Sequence, residues 1–570
     1  MRWQMPSVAV AVALCTACAP LPPGAGSPIA VSVDEERVVV GSFAVIDAVA
    51  VSRRFVFAAG PGGVAVYDRV GERFMAPASR DLDRELGRDP QSFAAPPLAG
   101  FGASVSVMAG DPFEDALWIG VPGAVLIYRP FTGQVQRTIV TGMPQRIVFD
   151  RSGSGDALVL SSGHWTRVSR VGIATPANAP TAQQVVMPPS TADLLNRYPG
   201  LRTQPQLLLR RTAPTRPIGT FALTAVAAAP DRTSELWLGT DGEGLFRFDP
   251  VFGQGASLPY GLLDAGAGAL APAANGVWVA GLGLSRRGGL TFASADLQRW
   301  RWIEGTITVP LAGIRTFAMA TRGSRAWLGT DRGLVRAPLD GAQDMRATTR
   351  FDGLPDDRVF AVAARDDGAW AGTAGGLVFV SDSLGVGTPL LRDAAVYALQ
   401  VTGRTLWVGT QRGLFTTPAS GIVGIGTAAD APRAVSAGDA ADRVVRTPVR
   451  ALAASDTVLL VATDDAVAVL HPAPAAGGMV TAVTGQPVPA LDPRLVGEVT
   501  RAAADERAFV VAGRDGVVLV SRVSGARRAL RVPLDVPGPV FDVLLQRDAL
   551  FLATAQGLLR YRRTGDGLVP

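Results

Sequence analysis

Short apolar runs separated by glycine-containing turns recur along almost the whole chain. The segment SELWLGTDGEGLFRFDP, Ser234 to Pro250, shows the unit: an apolar run, a glycine-rich turn, a second apolar run and a stop. Within LWLGT the apolar residues are consecutive rather than alternating, which is typical of a strand buried on both faces. A helical repeat would instead need a period of 3.6 residues and few glycines. The pattern therefore predicts repeated β-strands.

The unit occurs eleven times, and its clearest further copies begin at Ala116, Arg325, Gly368 and Thr405. The residues at the centres of the eleven copies are Val56, Trp118, Val159, Trp237, Trp278, Trp327, Trp370, Trp407, Leu460, Val510 and Phe551. Another apolar stretch and a polar turn precede the copies, as in TFAMATRGSRAW and VYALQVTGRTLW. Four strands in roughly 40 to 50 residues correspond to one blade of a β-propeller.

We therefore predict an all-β fold, a β-propeller of 11 to 12 four-stranded blades, from the eleven copies and two wide gaps between them. This number exceeds the four to eight blades of a common single ring. We accordingly predict two propellers, an N-terminal one over residues 36–305 and a C-terminal one over residues 306–570. The segment ERVVVGSF, which precedes the first copy, is a candidate for the outer strand of the last blade.

Two insertions widen the gaps between copies, near residues 75–97 and 176–217. The first contains the helix-like sequence SRDLDRELG. The second contains PPSTADLLNRYPG, in which either Ser190 or Thr191 would cap a helical turn. The alternative is that the second insertion hides a degenerate twelfth blade.

The sequence LWLGT followed by GL, with preceding phrases such as GLPDDRVFAVAARDDG, resembles the two-component-regulator propeller repeat of the periplasmic sensor regions of hybrid histidine kinases. The likeness is clearest in the copies centred on Trp237, Trp327, Trp370 and Trp407. In those sensors the propellers precede a small β-sandwich, a membrane span and a kinase, whereas this sequence ends directly after a blade. The resemblance implies an extracytoplasmic recognition module without an output domain of its own.

The first residues, MRWQMPSVAVAVALCTACAPLPPGAGSP, have the layout of a secretory signal, with a positive charge, an apolar core and small residues. The sequence LCTAC resembles a bacterial lipoprotein box with Cys18 as the lipid attachment residue. We predict a lipoprotein signal peptide over 1–17, a flexible tether over 18–35, and membrane association through the lipid. Ala19 by analogy favours the periplasmic side of the outer membrane or the cell surface. Ordinary signal cleavage nearby is the alternative.

Composition narrows the functional classes. Hydrophobic residues make up 48% of the chain and charged residues 18%, with 65 Gly and 42 Pro, which is too apolar for disorder and rich in turn formers. All 54 basic residues are Arg, but the net charge of +5 is spread thinly, so we expect no nucleic-acid partner. The only cysteines, Cys15 and Cys18, lie in the opening segment, so the folded part has no disulfide.

Catalysis has little support in the sequence. The only two histidines, His164 and His471, stand in unrelated contexts, without a nucleophile motif, a metal-ligand spacing or a phosphate-binding loop. We expect no enzyme activity, no cofactor and no metal. A hydrolase or lyase that uses carboxylates gathered at a propeller centre is the alternative. Because Thr and Asp recur after the middle strand in many copies, we interpret them, and the motif tryptophans, as structural.

Candidate contact residues lie where the copies depart from the repeat, since binding tends to be placed in insertions on a rigid scaffold. The candidate binding residues are Arg210, Arg211, Arg286, Arg287, Trp300 and Trp302. The predicted function is a lipid-anchored extracytoplasmic propeller that binds or scaffolds a protein partner, and its oligomeric state is open. The alternative is a propeller that senses a small molecule or glycan. Convergent acids at the central opening would favour an enzyme, an aromatic-lined cleft a glycan, and a flat apolar patch a protein partner.

Overall fold

The computed structural model describes residues 37–75, 105–152, 154–210, 221–232, 234–341, 344–420, 431–437, 439–455, 458–472, 480, 482–564 and 567–568. The predicted signal peptide, the tether with Cys18, residues 76–97 of the first insertion and Arg211 lie outside these residues.

The described residues form eleven sheets, numbered here as blades 1 to 11 in chain order. The first strand, β1 (Arg37–Val40), belongs to the sheet of the last blade. Blade 1 comprises β2 (Ala48–Val51), β3 (Phe55–Gly60), β4 (Gly63–Asp68) and β5 (Arg73–Phe74). Blade 2 comprises β6 (Val107–Gly110), β7 (Leu117–Val121), β8 (Ala124–Arg129) and β9 (Gln134–Ile139). Blade 3 comprises β10 (Pro144–Asp150), β11 (Ala157–Ser161), β12 (His164–Val168), β13 (Ala174–Ala177) and β14 (Val185–Val186). Blade 4 comprises β15 (Leu209–Arg210), β16 (Leu223–Ala228), β17 (Leu236–Thr240), β18 (Leu245–Asp249) and β19 (Gln254–Leu258).

The remaining seven sheets follow without interruption from Ala267. Blade 5 comprises β20 (Ala267–Ala273), β21 (Gly276–Gly281), β22 (Gly289–Ser294) and β23 (Trp300–Glu304). Blade 6 comprises β24 (Thr316–Arg322), β25 (Arg325–Thr330), β26 (Gly333–Pro338) and β27 (Arg346–Thr348). Blade 7 comprises β28 (Val359–Ala364), β29 (Gly368–Thr373), β30 (Gly376–Ser381) and β31 (Gly385–Val386). Blade 8 comprises β32 (Val396–Thr402), β33 (Thr405–Thr410), β34 (Gly413–Pro418) and β35 (Arg433–Ala434).

The last three blades complete the chain. Blade 9 comprises β36 (Ser436–Ala437), β37 (Val449–Ser455), β38 (Val458–Thr463), β39 (Val467–Pro472) and β40 (Ala482–Pro487). Blade 10 comprises β41 (Val499–Ala504), β42 (Ala508–Gly513), β43 (Gly516–Ser521) and β44 (Arg527–Arg531). Blade 11 comprises β45 (Val540–Gln546), β46 (Ala549–Thr554), β47 (Gly557–Thr564) and β48 (Gly567–Leu568). Strand pairs within the blades are antiparallel, except that β15 and β36 run parallel to β19 and β40.

The helices are short: α1 (Thr191–Arg197), α2 (Pro199–Thr203), α3 (Pro205–Leu208) and α4 (Asp439–Arg446). In the second insertion the Ser190 hydroxyl accepts a hydrogen bond from the Asp193 amide, and the Asp193 carboxylate accepts one from the Ser190 amide. This capping box confirms the predicted helical turn and identifies Ser190, rather than Thr191, as its cap. The described residues of this insertion form no twelfth blade.

The inner strands of blades 5 to 11 contact one another in a closed circuit, because β20 packs against both β24 and β45. In the N-terminal region β2 packs against β6 and β16, and β6 packs against β10. The all-β propeller fold is therefore confirmed. The packing associates blade 5, which ends at Glu304, with the blades that follow it, and so favours a boundary before Ala267; the predicted division at residue 305 stays a prediction.

Strand β1 supplies the outer strand of blade 11. It pairs antiparallel with β47, with Arg37 opposite Tyr561 and Val40 opposite Leu558. This confirms the predicted role of ERVVVGSF and gives the sheet of the last blade an additional outer strand, which leaves less of its edge unpaired. Between β1 and blade 1, the Ile46 amide donates to the Thr240 carbonyl of blade 4 at 2.9 Å.

The middle strands form the core of the blades. The six motif tryptophans are buried, as predicted: Trp118, Trp237, Trp278, Trp327, Trp370 and Trp407. The recurring Thr after the middle strand closes the next turn, since its hydroxyl donates to a carbonyl three or four residues later. The structure thus confirms the structural interpretation of both residue types.

Candidate functional site

The inner strand of every blade from 5 to 11 has an irregularity at the same place. Near its start, the pairing with the next strand shifts register, so that one residue is left without a partner. Such bulges re-aim side chains and are frequent beside functional sites. The unpaired residues, called the axial ring below, are Gly268, Phe317, Phe360, Tyr397, Arg450, Thr500 and Phe541.

Side chains of the axial ring contact one another from blade to blade. The ring centroids of Phe317 and Phe360 are 5.4 Å apart, and those of Phe360 and Tyr397 are 6.0 Å apart. The guanidinium carbon of Arg450 lies 4.7 Å from the Tyr397 ring centroid. All four side chains are half-buried. Blades 6 to 9 therefore present a continuous, partly accessible aromatic wall that ends in a cation.

The residue after the bulge is Ala in blades 5 to 9, but Arg501 in blade 10 and Asp542 in blade 11. Arg501 donates to the backbone carbonyls of Phe317 and Phe360, the latter at 3.3 Å. Blades 6 and 7 lie across the closed circuit from blade 10, so this side chain spans the centre of the ring. The axial opening therefore has a guanidinium at its base.

Asp542 holds Arg501 from the neighbouring blade, with 3.5 Å between its Oδ1 and the Arg501 Nε. The amides of Leu270 and Val543 each donate to this carboxylate at 2.8 Å. Burial raises the pKa of Asp542 above its usual value, and the charge of Arg501 and these amide bonds offset this only in part. Asp542 is thus engaged in positioning Arg501.

Arg315, the residue that precedes β24, lies beside the axial ring. Its guanidinium carbon lies 5.1 Å from the Phe317 ring centroid and 5.3 Å from that of Phe541, on blade 11. Blade 5, which lies between blades 6 and 11, contributes only Gly268 to the axial ring. A Cβ at Gly268 would lie 2.5 Å from the Thr316 carbonyl oxygen, so only glycine fits here.

Two aspartates in the turns that follow middle strands, Asp331 and Asp464, position Arg315 and Arg450. The Asp331 carboxylate accepts from the Arg315 amide at 3.2 Å, and the Asp331 amide donates to the Arg315 carbonyl at 3.0 Å. On blade 9 the Arg450 Nε donates to Asp464 at 2.8 Å. Burial would lower the pKa of Arg450, but the hydrogen bond and charge of Asp464 raise it above its usual value.

The predicted residues Arg287 and Trp302 lie in the contact between blades 4 and 5. Both are buried, with the Arg287 guanidinium carbon 4.9 Å from the Trp302 ring centroid. Arg287 forms ion pairs with Glu304 and, at 3.6 Å, with Glu243 of the blade 4 turn. The Trp302 indole donates to the Gly261 carbonyl at 2.9 Å. These contacts support a structural role that joins the N-terminal region to the closed ring.

The other predicted residues are dispersed. Trp300 is buried, donates to the Leu297 carbonyl at 2.9 Å, and lines one side of a shallow cavity. The cavity has a volume of about 350 Å³ and is lined by Trp278, Phe292, Arg299, Trp300 and Arg301. Arg286 is exposed, and Arg210 lies in β15, which pairs with β19. The structure does not gather the described members of this predicted set into one site, and Arg211 lies outside the described residues.

No metal-binding cluster is found in the described part of the chain. His164 and His471 are exposed and lie in blades 3 and 9. Within that part, no three His, Cys, Asp or Glu side chains are grouped as metal ligands. Among the helices that the structure describes, none has the length and apolar character needed to cross a bilayer.

Sequence reasoning missed the axial ring, although the signal was present. Aligned on the motif tryptophans, the preceding strands read TFAMA, VFAVA and VYALQ, and the second position changes while its neighbours stay small or apolar. Over blades 5 to 11, five of the seven residues in that column are aromatic or basic. A search limited to insertions overlooks such a column, because it lies within the repeat.

No family model matches the chain, and no curated protein matches it. Solved structures with similar folds include the extracellular domain of BT4673 from B. thetaiotaomicron, assigned to a one component or hybrid two component system. Two structures of that domain share 13% and 14% identity with this chain, cover 92% and 90% of it, and give TM-scores of 0.38 and 0.39. The matches cover 64% and 69% of that domain, so this chain spans about two thirds of its length.

Two further neighbours match about half of the chain. Virginiamycin B lyase from Staphylococcus aureus is 11% identical over 53% of this chain and 95% of its own, with a TM-score of 0.36. The Neurospora crassa Pan2 WD40 domain is 11% identical over 52% of this chain and 88% of its own, with a TM-score of 0.36. At this level of similarity these likenesses establish neither a family nor a function for this chain. The fold itself rests on its eleven sheets and on the closed circuit of blades 5 to 11.

Proposed function

We propose that the chain is a binding propeller that recognises a small molecule at the axial ring of blades 5 to 11. The observation that carries this proposal is the convergence of Phe317, Phe360 and Tyr397 on one wall, with the Arg501 guanidinium at the base. Half-buried aromatic rings offer apolar contact area and ring faces to a ligand, and a fixed cation at the base would orient it. The arrangement fits the small-molecule or glycan alternative better than the hydrolase alternative.

The absence of enzyme activity remains an expectation from the sequence. Asp542, the carboxylate beside Arg501, is engaged by two amides and by that arginine, which supports a positioning role rather than general acid or base work. We place the protein outside the cytoplasm, held by a lipid on Cys18. This location rests on the signal-like residues 1–28 and on the lipoprotein box.

A thermal-shift screen of a small-molecule and oligosaccharide library tests the proposed function. A ligand of the axial ring should raise the melting temperature of the wild type, because binding to the native state adds stability in proportion to the logarithm of ligand concentration. The same compound should fail to shift Phe360→Ala. Phe351→Ala is the matched control, since Phe351 is 94% exposed in the loop before blade 7 and lies outside the axial ring. Hits that shift both variants equally would contradict the proposal.

A protein partner, the prediction made first from the sequence, is a second candidate function with its own observation. Each of blades 1 to 4 exposes an apolar residue at the turn between its third and fourth strands. These residues are Val70 (75% exposed), Phe131 (57%), Val171 (71%) and Phe252 (78%). Because the four side chains occupy the same class of turn in successive blades, we propose that they contact one partner protein together.

Affinity purification from detergent-solubilised membranes tests the partner. We expect a partner of stable stoichiometry that is lost when Val70, Phe131, Val171 and Phe252 are all changed to Ser. The control changes Leu384 and Val523, which are exposed at the corresponding turns of blades 7 and 10, to Ser. Equal recovery from both variants would exclude this surface.

A further inference from the structure

Arg315 contacts two rings of the axial ring but forms no ion pair with a carboxylate of the described residues. Its guanidinium forms no ion pair there, and its Nε is buried without a hydrogen-bond acceptor. By contrast, Arg450 is paired with Asp464 and Arg501 with Asp542. The carboxylate of Asp331 accepts a hydrogen bond from the Arg315 backbone amide instead of pairing with the guanidinium.

The surroundings of Arg315 disfavour the charged form of its guanidinium. Burial and the nearby charge of Arg514 lower the pKa of Arg315 below its ordinary value, and Asp331 and Glu498 only partly offset this. The rings of Phe317 and Phe541 both contact the guanidinium and restrict its movement. A partly buried guanidinium whose charge is only partly compensated is the arrangement that an anion would stabilise, because its planar fork matches two oxygens at once.

We propose that the axial ring selects organic anions, and that Arg315 recognises a carboxylate carried on a flat ring stacked against the aromatic wall. This inference rests on the proposed function and adds the chemical class of the ligand. The wall of Phe317, Phe360 and Tyr397 would hold the flat body of the ligand, and Arg315 would take its carboxylate. Arg501 at the base adds positive charge that favours the same sign of ligand.

The experiment compares 2-naphthoate with 2-naphthamide, two probes of the same shape that differ in charge. Binding to the full-length protein is measured by ligand-observed NMR and calorimetry. We expect the acid to bind roughly tenfold more tightly than the amide, because one charge-assisted hydrogen-bonded pair can supply a difference in binding free energy of this size. Arg315→Gln should lose most of that difference while leaving the amide unchanged, and Arg315→Lys should retain part of it. Arg332→Gln, which removes an exposed arginine of the adjacent turn, is the matched control.

The outcomes separate this inference from the proposed function. Equal affinity for both probes that depends on Phe360 but not on Arg315 would overturn the inference and leave the binding function intact. No binding of the acid at millimolar concentration, or binding unaffected by either Phe360→Ala or Arg315→Gln, would also overturn the inference. If Arg315→Gln alone lowers the melting temperature, the affinity of folded Arg315→Lys and the salt dependence of the wild type still decide the result.

Discussion

Blades 1 to 4 and blades 5 to 11 share their middle strands but differ at the axis. Both regions contain middle strands that are buried over their whole length, such as β7 and β29. In blades 5 to 11 every inner strand carries the bulge, whereas in blades 1 to 4 the register shifts only in β10 and β16. Packing against two neighbours fixes the middle strand, but a residue that faces the axis is released from that constraint. Variation within a rigid repeat therefore marks where function can be placed.

The two regions are nevertheless joined by a common core. One cluster of buried side chains includes Tyr67 of blade 1, Trp237 of blade 4, Trp300 of blade 5 and Phe551 of blade 11. The buried Arg287 links Glu243 and Glu304 across the same contact. A substitution in one region is thus expected to affect the stability of both, whereas only one region should bind ligand at the axis.

The largest effect is expected from removing a motif tryptophan in each region. Trp118→Ala in blade 2 and Trp370→Ala in blade 7 each truncate a fully buried side chain, and each should cost about 3–5 kcal/mol of unfolding free energy. Urea unfolding followed by far-UV circular dichroism measures this loss. Ligand binding distinguishes the two variants. Trp370→Ala should abolish binding at the axial ring, whereas folded Trp118→Ala should retain it. Loss of binding in both variants would contradict a separate axial function.

The next effect concerns the buried ion pair that joins blades 1 and 4. Arg69 Nε donates to Glu235 at 2.8 Å, and the Trp237 indole donates to the same oxygen at 2.8 Å. Burial raises the pKa of Glu235, but the hydrogen bond and charge of Arg69 outweigh it and hold the pKa below its usual value. We expect Glu235→Gln to cost about 2–3 kcal/mol at neutral pH, because Arg69 loses a buried partner but keeps Asp231.

The pH dependence checks the sign of this effect. Because the folded-state pKa of Glu235 is lowered, its contribution is complete above the unfolded-state pKa and is lost as the pH falls through the folded-state pKa. The difference between wild type and Glu235→Gln in chemical denaturation should therefore shrink below about pH 4. Glu72→Gln, at an exposed partner of Arg247, is the control and should change little. A difference that grows in acid would refute the assignment.

The sequence predicted the repeat, because each middle strand needs consecutive apolar residues and each turn needs glycine. It also predicted the closure by β1 and the helical turn after Ser190, both of which follow from local patterns. The roles of Arg287 and Trp302 could not be read in the same way. These residues depart from the repeat because they meet Glu243 and Gly261 of the preceding region, and that contact exists only in the folded chain.

The axial ring was overlooked for a different physical reason. Arg501 and Phe360 are 141 residues apart in sequence, and the closure of seven blades brings them together. No local pattern gives the number of blades in a ring, so no local pattern shows which blades face each other. The column of bulged residues could have been found, but its convergence could not.

Gly268 provides a smaller test of the axis. Gly268→Ala places a methyl group 2.5 Å from the Thr316 carbonyl oxygen, so the inner strands of blades 5 and 6 must separate. We expect a loss of about 2 kcal/mol by overpacking, together with weaker ligand binding near Arg315. Gly538→Ala is the control, because its added methyl would meet only the flexible Gln556 side chain at 4.0 Å. Equal stability of both variants in urea unfolding would show that the axis can expand.

The smallest expected effect tests whether turn chemistry is common to both regions. Thr410 of blade 8 donates to the Gly413 carbonyl at 2.9 Å and accepts from the Arg412 amide at 3.0 Å. Thr240 of blade 4 makes the same two kinds of bond, to the Gly244 carbonyl at 2.7 Å and from the Glu243 amide at 3.0 Å. Replacing either by Val keeps the shape but leaves a carbonyl and an amide without this partner, so each should cost about 1 kcal/mol in urea unfolding. A loss confined to Thr410→Val would mean that the hydroxyl serves the closed ring rather than the blade, whereas equal losses would leave the axis as the feature that separates the two regions.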